Sequence, residues 1–261
     1  MMLDKNKKMM MIGLFLSKFD KKGLEALGFS RFWEAYNAFA FALDGLPKTI
    51  NNYRDEFDPY FPNPRKGWKS RSLRPSRKSM MEKYANLSLE EFAAMIREIV
   101  SPLGDADSVI EATENDLENA SFAKRIITGL SAEKHFTAHY QEIPCFSTAS
   151  LVRTTHFGCG FDFKLEVGGK PFLAVEVKGL GAGAGQFQMT SKEYRVAEYL
   201  KERYFLYILR GFETPKPFFT LIQNPLASDI EFSNHEIVMH QTYWTGEVKK
   251  SLASNCMDVC A

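Results

Sequence analysis

Apolar residues along the first hundred positions recur at helical spacing. In three segments, residues 23–27, 32–43 and 89–100, the apolar residues are spaced three or four positions apart. Ser88 precedes the last segment, and Glu91 follows it three residues later, as in a capping box. Residues 58–68 between these helices are rich in proline and aromatic side chains, which is typical of a loop. The pattern predicts an all-α N-terminal module.

The pattern becomes strand-like after Pro144. Before this proline, residues 121–143 predict one long helix that Gly129 could interrupt. After it, two β-rich runs at 161–167 and 172–178 flank Gly168 and Gly169, which is a hairpin signal. A helix at 190–201 and strands at 204–209 and 218–222 follow. The second half therefore predicts an α/β domain.

Charge is unevenly distributed, although the net formal charge is only +1. Residues 65–78, which we call the basic run, hold no acidic side chain and seven basic ones, which are Arg65, Lys66, Lys69, Arg71, Arg74, Arg77 and Lys78. Residues 105–118 hold six acidic side chains and no basic one. Residues 102–104 between the two runs predict a boundary between a domain at 1–104 and another at 105–261. The basic run suits DNA phosphates, and a solvated loop explains it equally well.

Several classes of protein are disfavoured by composition. No apolar run approaches the roughly 20 residues that a membrane span needs, so we expect a cytoplasmic protein without membrane contact. The four cysteines fit no zinc module, and reduced thiols are expected. His135 and His139 stand four residues apart and could hold a metal, but an ordinary helix surface explains them as well or better.

Charged residues also interrupt the predicted hairpin, where a charge is costly unless it is paired or binds a metal. Glu176 and Lys178 are two residues apart and share one face of their strand. A three-residue turn at 168–170 places Asp162 opposite Glu176. A two-residue turn points Asp162 away from it.

Two carboxylates and the Val177 carbonyl suit a hard cation such as Mg²⁺, or Mn²⁺ in its place. The cation stabilises charge that develops on a phosphate, and a neighbouring lysine orients or helps deprotonate the attacking water. If Asp162 joins Glu176 and Lys178, the combination predicts hydrolysis of phosphodiester bonds.

These residues resemble the PD-(D/E)xK superfamily of restriction-endonuclease-like nucleases. Asp162 matches the aspartate of one core strand, and Glu176-Val177-Lys178 matches the (D/E)xK of the next. Together with Thr190-Ser191-Lys192-Glu193 and the strand at 204–209, they resemble a poorly characterised branch found at the C-terminal ends of prokaryotic defence proteins. The resemblance covers roughly residues 130–225.

The resemblance implies a restriction-endonuclease-like core with a mixed central sheet flanked by helices. It implies a Mg²⁺-dependent endonuclease that cuts DNA in restriction or anti-phage defence, as a homodimer or with other defence subunits. Asp162 and Glu176 would bind the metal, and Lys178 would activate water. Glu133 stands near the position of an acidic residue of the branch, which makes it a candidate for the catalytic site. Some members of the family have a functional glutamine near Gln188, so Gln188, or Gln186 in its place, is a further candidate.

Two other functions fit the same residues. The fold could serve as a non-catalytic nucleic-acid-binding or assembly module of a defence complex, or the nuclease could act on RNA. An ExK motif by itself is weak, since an exposed Glu-Lys pair on an edge strand has the same spacing. Cleavage assays with DNA and RNA would separate these alternatives.

Overall fold

The computed structural model describes residues 4–65, 67, 72–100, 116–155 and 158–235. Residues up to Ile230 belong to one compact unit, and residues 231–235 to a second. The helices are α1 (Lys5–Ala26), α2 (Phe32–Ala42), α3 (Pro47–Phe57), α4 (Pro75–Tyr84), α5 (Leu89–Val100), α6 (Asp116–His139) and α7 (Ser191–Leu200). The strands are β1 (Ser150–Arg153), β2 (Phe163–Glu166), β3 (Leu173–Gly179), β4 (Tyr204–Arg210) and β5 (Phe218–Gln223). The predicted domain boundary at 102–104 lies outside the described residues.

Helix α1 is the buried centre of the N-terminal helical region. Its residues 9–17 are all buried, and α1 packs against α3 and α5. A helix that is apolar on all sides needs neighbours on all sides, which explains this arrangement. The predicted capping box of α5 is present, because Ser88 N–H donates to Glu91 (2.8 Å) and Glu91 N–H donates to Ser88 Oγ (3.2 Å). No described helix has the length and apolar character that crossing a membrane requires.

The second half of the compact unit is built on a mixed sheet, as predicted. Its strand order is β1-β2-β3-β4-β5, with β3 and β4 parallel and the other neighbours antiparallel. Helix α7 supplies the crossover that the parallel pair requires. Helix α6 runs through Gly129 without a break, and a glycine there costs about 1 kcal/mol relative to alanine.

The two faces of β3 have different neighbours. Val175 and Val177 join the large core that contains Phe136 of α6. Ala174, on the opposite face, packs in a smaller core with Ala197 and other residues around α7. Because side chains alternate along a strand, Glu176 and Lys178 share the face of Ala174. The charged residues of β3 therefore lie towards α7.

Candidate active site

The register of the hairpin brings Asp162 beside Glu176. The last regular pair of the β2–β3 ladder joins Phe163 to Val175, and one further step along both strands aligns Asp162 with Glu176. The N–H of Val177 donates to Asp162 Oδ2 at 2.9 Å. This is the register that a three-residue turn predicts, and it fixes the Asp162 carboxylate against β3.

Lys178 is held between two carboxylates. Its Nζ lies 2.6 Å from Glu176 Oε1 and 2.9 Å from Glu193 Oε2. Glu193 also forms the capping box of α7 with Thr190, so the start of the helix fixes the position of this carboxylate. We call Asp162, Glu176, Lys178 and Glu193 the carboxylate–lysine cluster.

Sequence reasoning did not assign Glu193 to the site. The sequence predicts an N-cap at Thr190 or Ser191 with Glu193 in the first turn of the helix, which gives Glu193 a sufficient local role. Its contact with Lys178 spans 15 residues and depends on how α7 packs against β3. Only the tertiary structure shows that the carboxylate that caps α7 also contacts Lys178.

Burial and mutual repulsion perturb the carboxylates of the cluster. The Glu176 side chain is only 4% exposed, and burial, followed by the charge of Asp162, raises its pKa to about 8. Burial also raises the pKa of Asp162, although the Val177 N–H opposes this shift. Burial lowers the pKa of Lys178, but Glu176 and Glu193 outweigh it and keep that pKa above the usual value. Three carboxylates thus face one ammonium, which favours an additional cation.

A cavity of about 210 Å³ gives access to the cluster. Asp162, Glu176 and Glu193 line it, together with residues from the loop before β2 and the start of α7. Among the described residues, no group of three or more His, Cys, Asp or Glu side chains is arranged to hold a metal ion. Two carboxylates still fit Mg²⁺, because this ion usually keeps several waters and uses one or two protein carboxylates. The Val177 carbonyl as a ligand stays a prediction.

Glu133 lies within electrostatic reach of the cluster. Burial raises its pKa to about 7, and the charge of Asp162 is the second cause. Its carboxylate pairs with Arg153 at the end of β1. Arg153 pairs with Phe163 in the β1–β2 ladder, and Phe163 directly follows Asp162 in the sequence. Sequence reasoning missed Arg153 because β1 itself was not predicted.

The structure gives Gln188 no described contact with the cluster. Its side chain is exposed, and it does not line the cavity that Asp162 and Glu176 share. A role for Gln188 in the site therefore stays a prediction from the resemblance.

The described part of the basic run is divided between paired and exposed side chains. Arg65 forms ion pairs with Asp20 and Asp58. Arg77 pairs with Glu56 at 2.9 Å. Two members are exposed, which are Arg74 and Lys78, and Lys78 lies 3.9 Å from Glu82 on the surface of α4. Three lie outside the described residues, which are Lys66, Lys69 and Arg71. The pairs give Arg65 and Arg77 a structural role, and contact of this run with nucleic acid stays a prediction.

The histidine pair on α6 predicts a pH effect on stability. Burial, and then the charge of His139, lowers the pKa of His135 to about 4, whereas an ordinary histidine titrates near 6.5. Between these values the unfolded chain binds more protons, so stability falls as the pH falls from about 6.5 to about 4. His135→Gln should reduce this loss, measured as urea midpoints at about pH 7 and about pH 5. His235→Gln, which removes an exposed histidine outside this pair, is the control and should keep the wild-type loss; an equal loss in His135→Gln and in the control would contradict the assignment.

Comparison with known proteins locates the similarity in this half of the chain. A family model described as Protein NO VEIN, C-terminal, matches residues 132–221. No curated protein and no solved structure matches the chain. The matched segment contains the whole carboxylate–lysine cluster as well as Glu133 and Arg153. The part of the chain that builds the candidate site is thus similar to the C-terminal domain of Protein NO VEIN.

Proposed function

We propose that this chain is a Mg²⁺-dependent endonuclease of the PD-(D/E)xK type that hydrolyses phosphodiester bonds of DNA. One observation carries the proposal: Asp162 and Glu176 line one cavity side by side, and Lys178 contacts the Glu176 carboxylate behind it. Buried carboxylates that repel each other are costly in a purely structural site, and strongly perturbed groups in a cleft are typical of catalytic ones. The match of residues 132–221 to a single family model supports treating this segment as one functional domain.

Each residue of the cluster has a distinct role in the proposal. Asp162 and Glu176 would hold the metal, which when bound stabilises charge on the phosphate and lowers the pKa of a water molecule. Lys178 lies between Glu176 and Glu193, which raise its pKa in the metal-free protein, so we assign it the role of a positive hydrogen-bond donor. Glu193 orients the Lys178 ammonium. The cluster thus favours orientation of the attacking water over its deprotonation by lysine.

The biological setting is proposed from the resemblance alone. A nuclease of this type suits defence against foreign DNA, and the same resemblance suggests that it acts as a homodimer. The proposal names DNA as the substrate, and RNA is tested in parallel.

The test compares two lysines with the same local geometry. Lys178→Ala should reduce DNA cleavage in Mg²⁺ by about 10²–10³-fold, because it removes a fixed charge at the reacting phosphate. Lys164→Ala is the matched control, since Lys164 lies 2.6 Å from Glu166 on β2 but away from the cavity, and this pair is more exposed. The control should cleave like the wild type.

Cleavage is measured on supercoiled, linear and single-stranded DNA and on RNA, with Mg²⁺ or with EDTA. Cleavage that is equal in Lys178→Ala and wild type would refute the assignment of Lys178. Nucleic-acid binding by the wild type without any cleavage would favour the non-catalytic module instead.

A further inference from the structure

Helix α7 carries a second set of side chains that the proposed chemistry does not use. Lys192, Arg195 and Tyr199 are spaced three and four residues apart, so they share one face of the helix. Tyr199 is 80% exposed, and both cations are exposed as well. We call these three residues the outer face of α7.

The outer face of α7 adjoins the cavity of the cluster. Lys192 lines that cavity together with Asp162 and Glu176. Val196 lies between Lys192 and Tyr199 on the helix surface and packs closely on Gly160. A Cβ added at Gly160 would lie only 2.8 Å from the Cγ2 atom of Val196. Gly160 also lines the cavity. A chain that lies on the outer face therefore reaches the cavity directly.

The cations of the outer face are available for an external partner. Arg195 donates from Nε to the Ser191 carbonyl at 3.1 Å, and neither Arg195 nor Lys192 forms an ion pair with a described residue. Arg65 and Arg77 of the basic run are paired with carboxylates of the protein itself. Charge complementarity thus favours an anionic partner at α7.

We propose that the outer face of α7 binds single-stranded nucleic acid and leads it to the cavity. Lys192 and Arg195 contact successive phosphates, and the Tyr199 ring stacks on an unpaired base. Stacking of this kind requires an exposed base face, which a duplex does not offer in its interior. The face is about 10 Å long, which suits a short segment beside the bond to be cut. This inference rests on the proposed nuclease function and specifies the form of its substrate.

Binding is tested by fluorescence anisotropy with labelled oligo-dT of about 12 nucleotides, in EDTA so that no cleavage occurs. Tyr199→Ala should weaken binding about tenfold. Lys192→Gln and Arg195→Gln should each reduce the slope of log K against log salt by about 0.7. Tyr194→Ala, on the other side of α7, and Lys170→Gln, in the β2–β3 turn, are matched controls that should bind like the wild type.

Each outcome decides the inference. Unchanged binding in the Tyr199, Lys192 and Arg195 variants, or no binding of oligo-dT by the wild type, would overturn it. If duplex DNA binds as tightly as oligo-dT, and if the same substitutions weaken that binding, the single-strand assignment is wrong. If the same substitutions weaken the binding of oligo-U to a similar extent, the outer face of α7 also binds single-stranded RNA. Because binding is read in EDTA, its result is separate from failure of the nuclease proposal, which appears as absent cleavage in Mg²⁺.

Discussion

Glu176→Gln is expected to reduce DNA cleavage by about 10²–10³-fold while making the metal-free protein more stable. The loss of activity follows from the loss of a proposed metal ligand beside Lys178. The gain in stability follows from the removal of a carboxyl group whose ionised form is disfavoured by burial and then by the charges of Asp162 and Glu193, so that folding near neutral pH requires it to take up a proton. Lys178 keeps its contact with Glu193 in the variant, so no cation is left without a partner.

The gain in stability has a defined pH dependence. The pKa of Glu176 is about 8 in the folded protein, compared with an ordinary value of 4.5. Between these values the folded state binds more protons, so wild-type stability falls as the pH rises through this range. Glutamine does not titrate. The advantage of the variant should therefore be absent below about pH 4.5 and reach about 1–3 kcal/mol near pH 7.

Chemical unfolding in EDTA at several pH values measures this difference, and a nuclease assay in Mg²⁺ measures the activity. Glu166→Gln is the matched control, because Glu166 pairs with Lys164 in an exposed position on β2. It should change neither quantity appreciably. A Glu176→Gln protein that is less stable than the wild type near neutral pH would show that the carboxylate has a structural role.

Asp162→Asn is expected to reduce strongly the stabilisation by divalent metal and to reduce cleavage by about 10²–10³-fold. Asparagine can still accept the hydrogen bond from the Val177 N–H, so the backbone arrangement is retained while the negative charge is lost. A metal that binds the folded wild type adds about 2.7 kcal/mol when its concentration is 100 times Kd. The variant should gain much less from the same ion.

Thermal unfolding with increasing Mg²⁺ or Mn²⁺ measures this linkage without any nucleic acid. Asp229→Asn, which removes an aspartate that does not line the cavity, controls for nonspecific effects of charge and should respond like the wild type. If Asp162→Asn is stabilised by the metal as strongly as the wild type, Asp162 is not a ligand.

The regular elements with strong local patterns were largely predictable from the sequence. The segments 32–43 and 89–100 correspond to α2 and α5, because helical periodicity is a property of neighbouring residues. Strand β1 was not predicted, since three of its four residues are exposed and no alternation of apolar and polar residues marks it. Its partner strand β2 is what holds it in the sheet.

The candidate site was predictable only in part, because local sequence patterns do not show which distant elements contact each other. Glu133 was an open choice between a solvated helix residue and a site residue, and its ion pair with Arg153 depends on the packing of α6 against β1. The basic run appeared uniform in sequence, yet Arg65 is drawn into a pair with Asp58, whose side chain is fully buried. Such contacts depend on which distant carboxylates the fold brings close.

The sequence by itself determined that Glu176 and Lys178 share a strand face, because side chains on a strand alternate with a period of two. It also placed the start of α7 at Thr190 or Ser191, because helix capping is local, and the structure selects Thr190, whose side chain accepts from the Glu193 N–H. Only the tertiary structure decided that Glu193 meets Lys178 on that face, and that Asp162 is fixed there by the Val177 N–H. Residue spacing defines the directions of side chains within one element, whereas contacts between elements depend on how they pack.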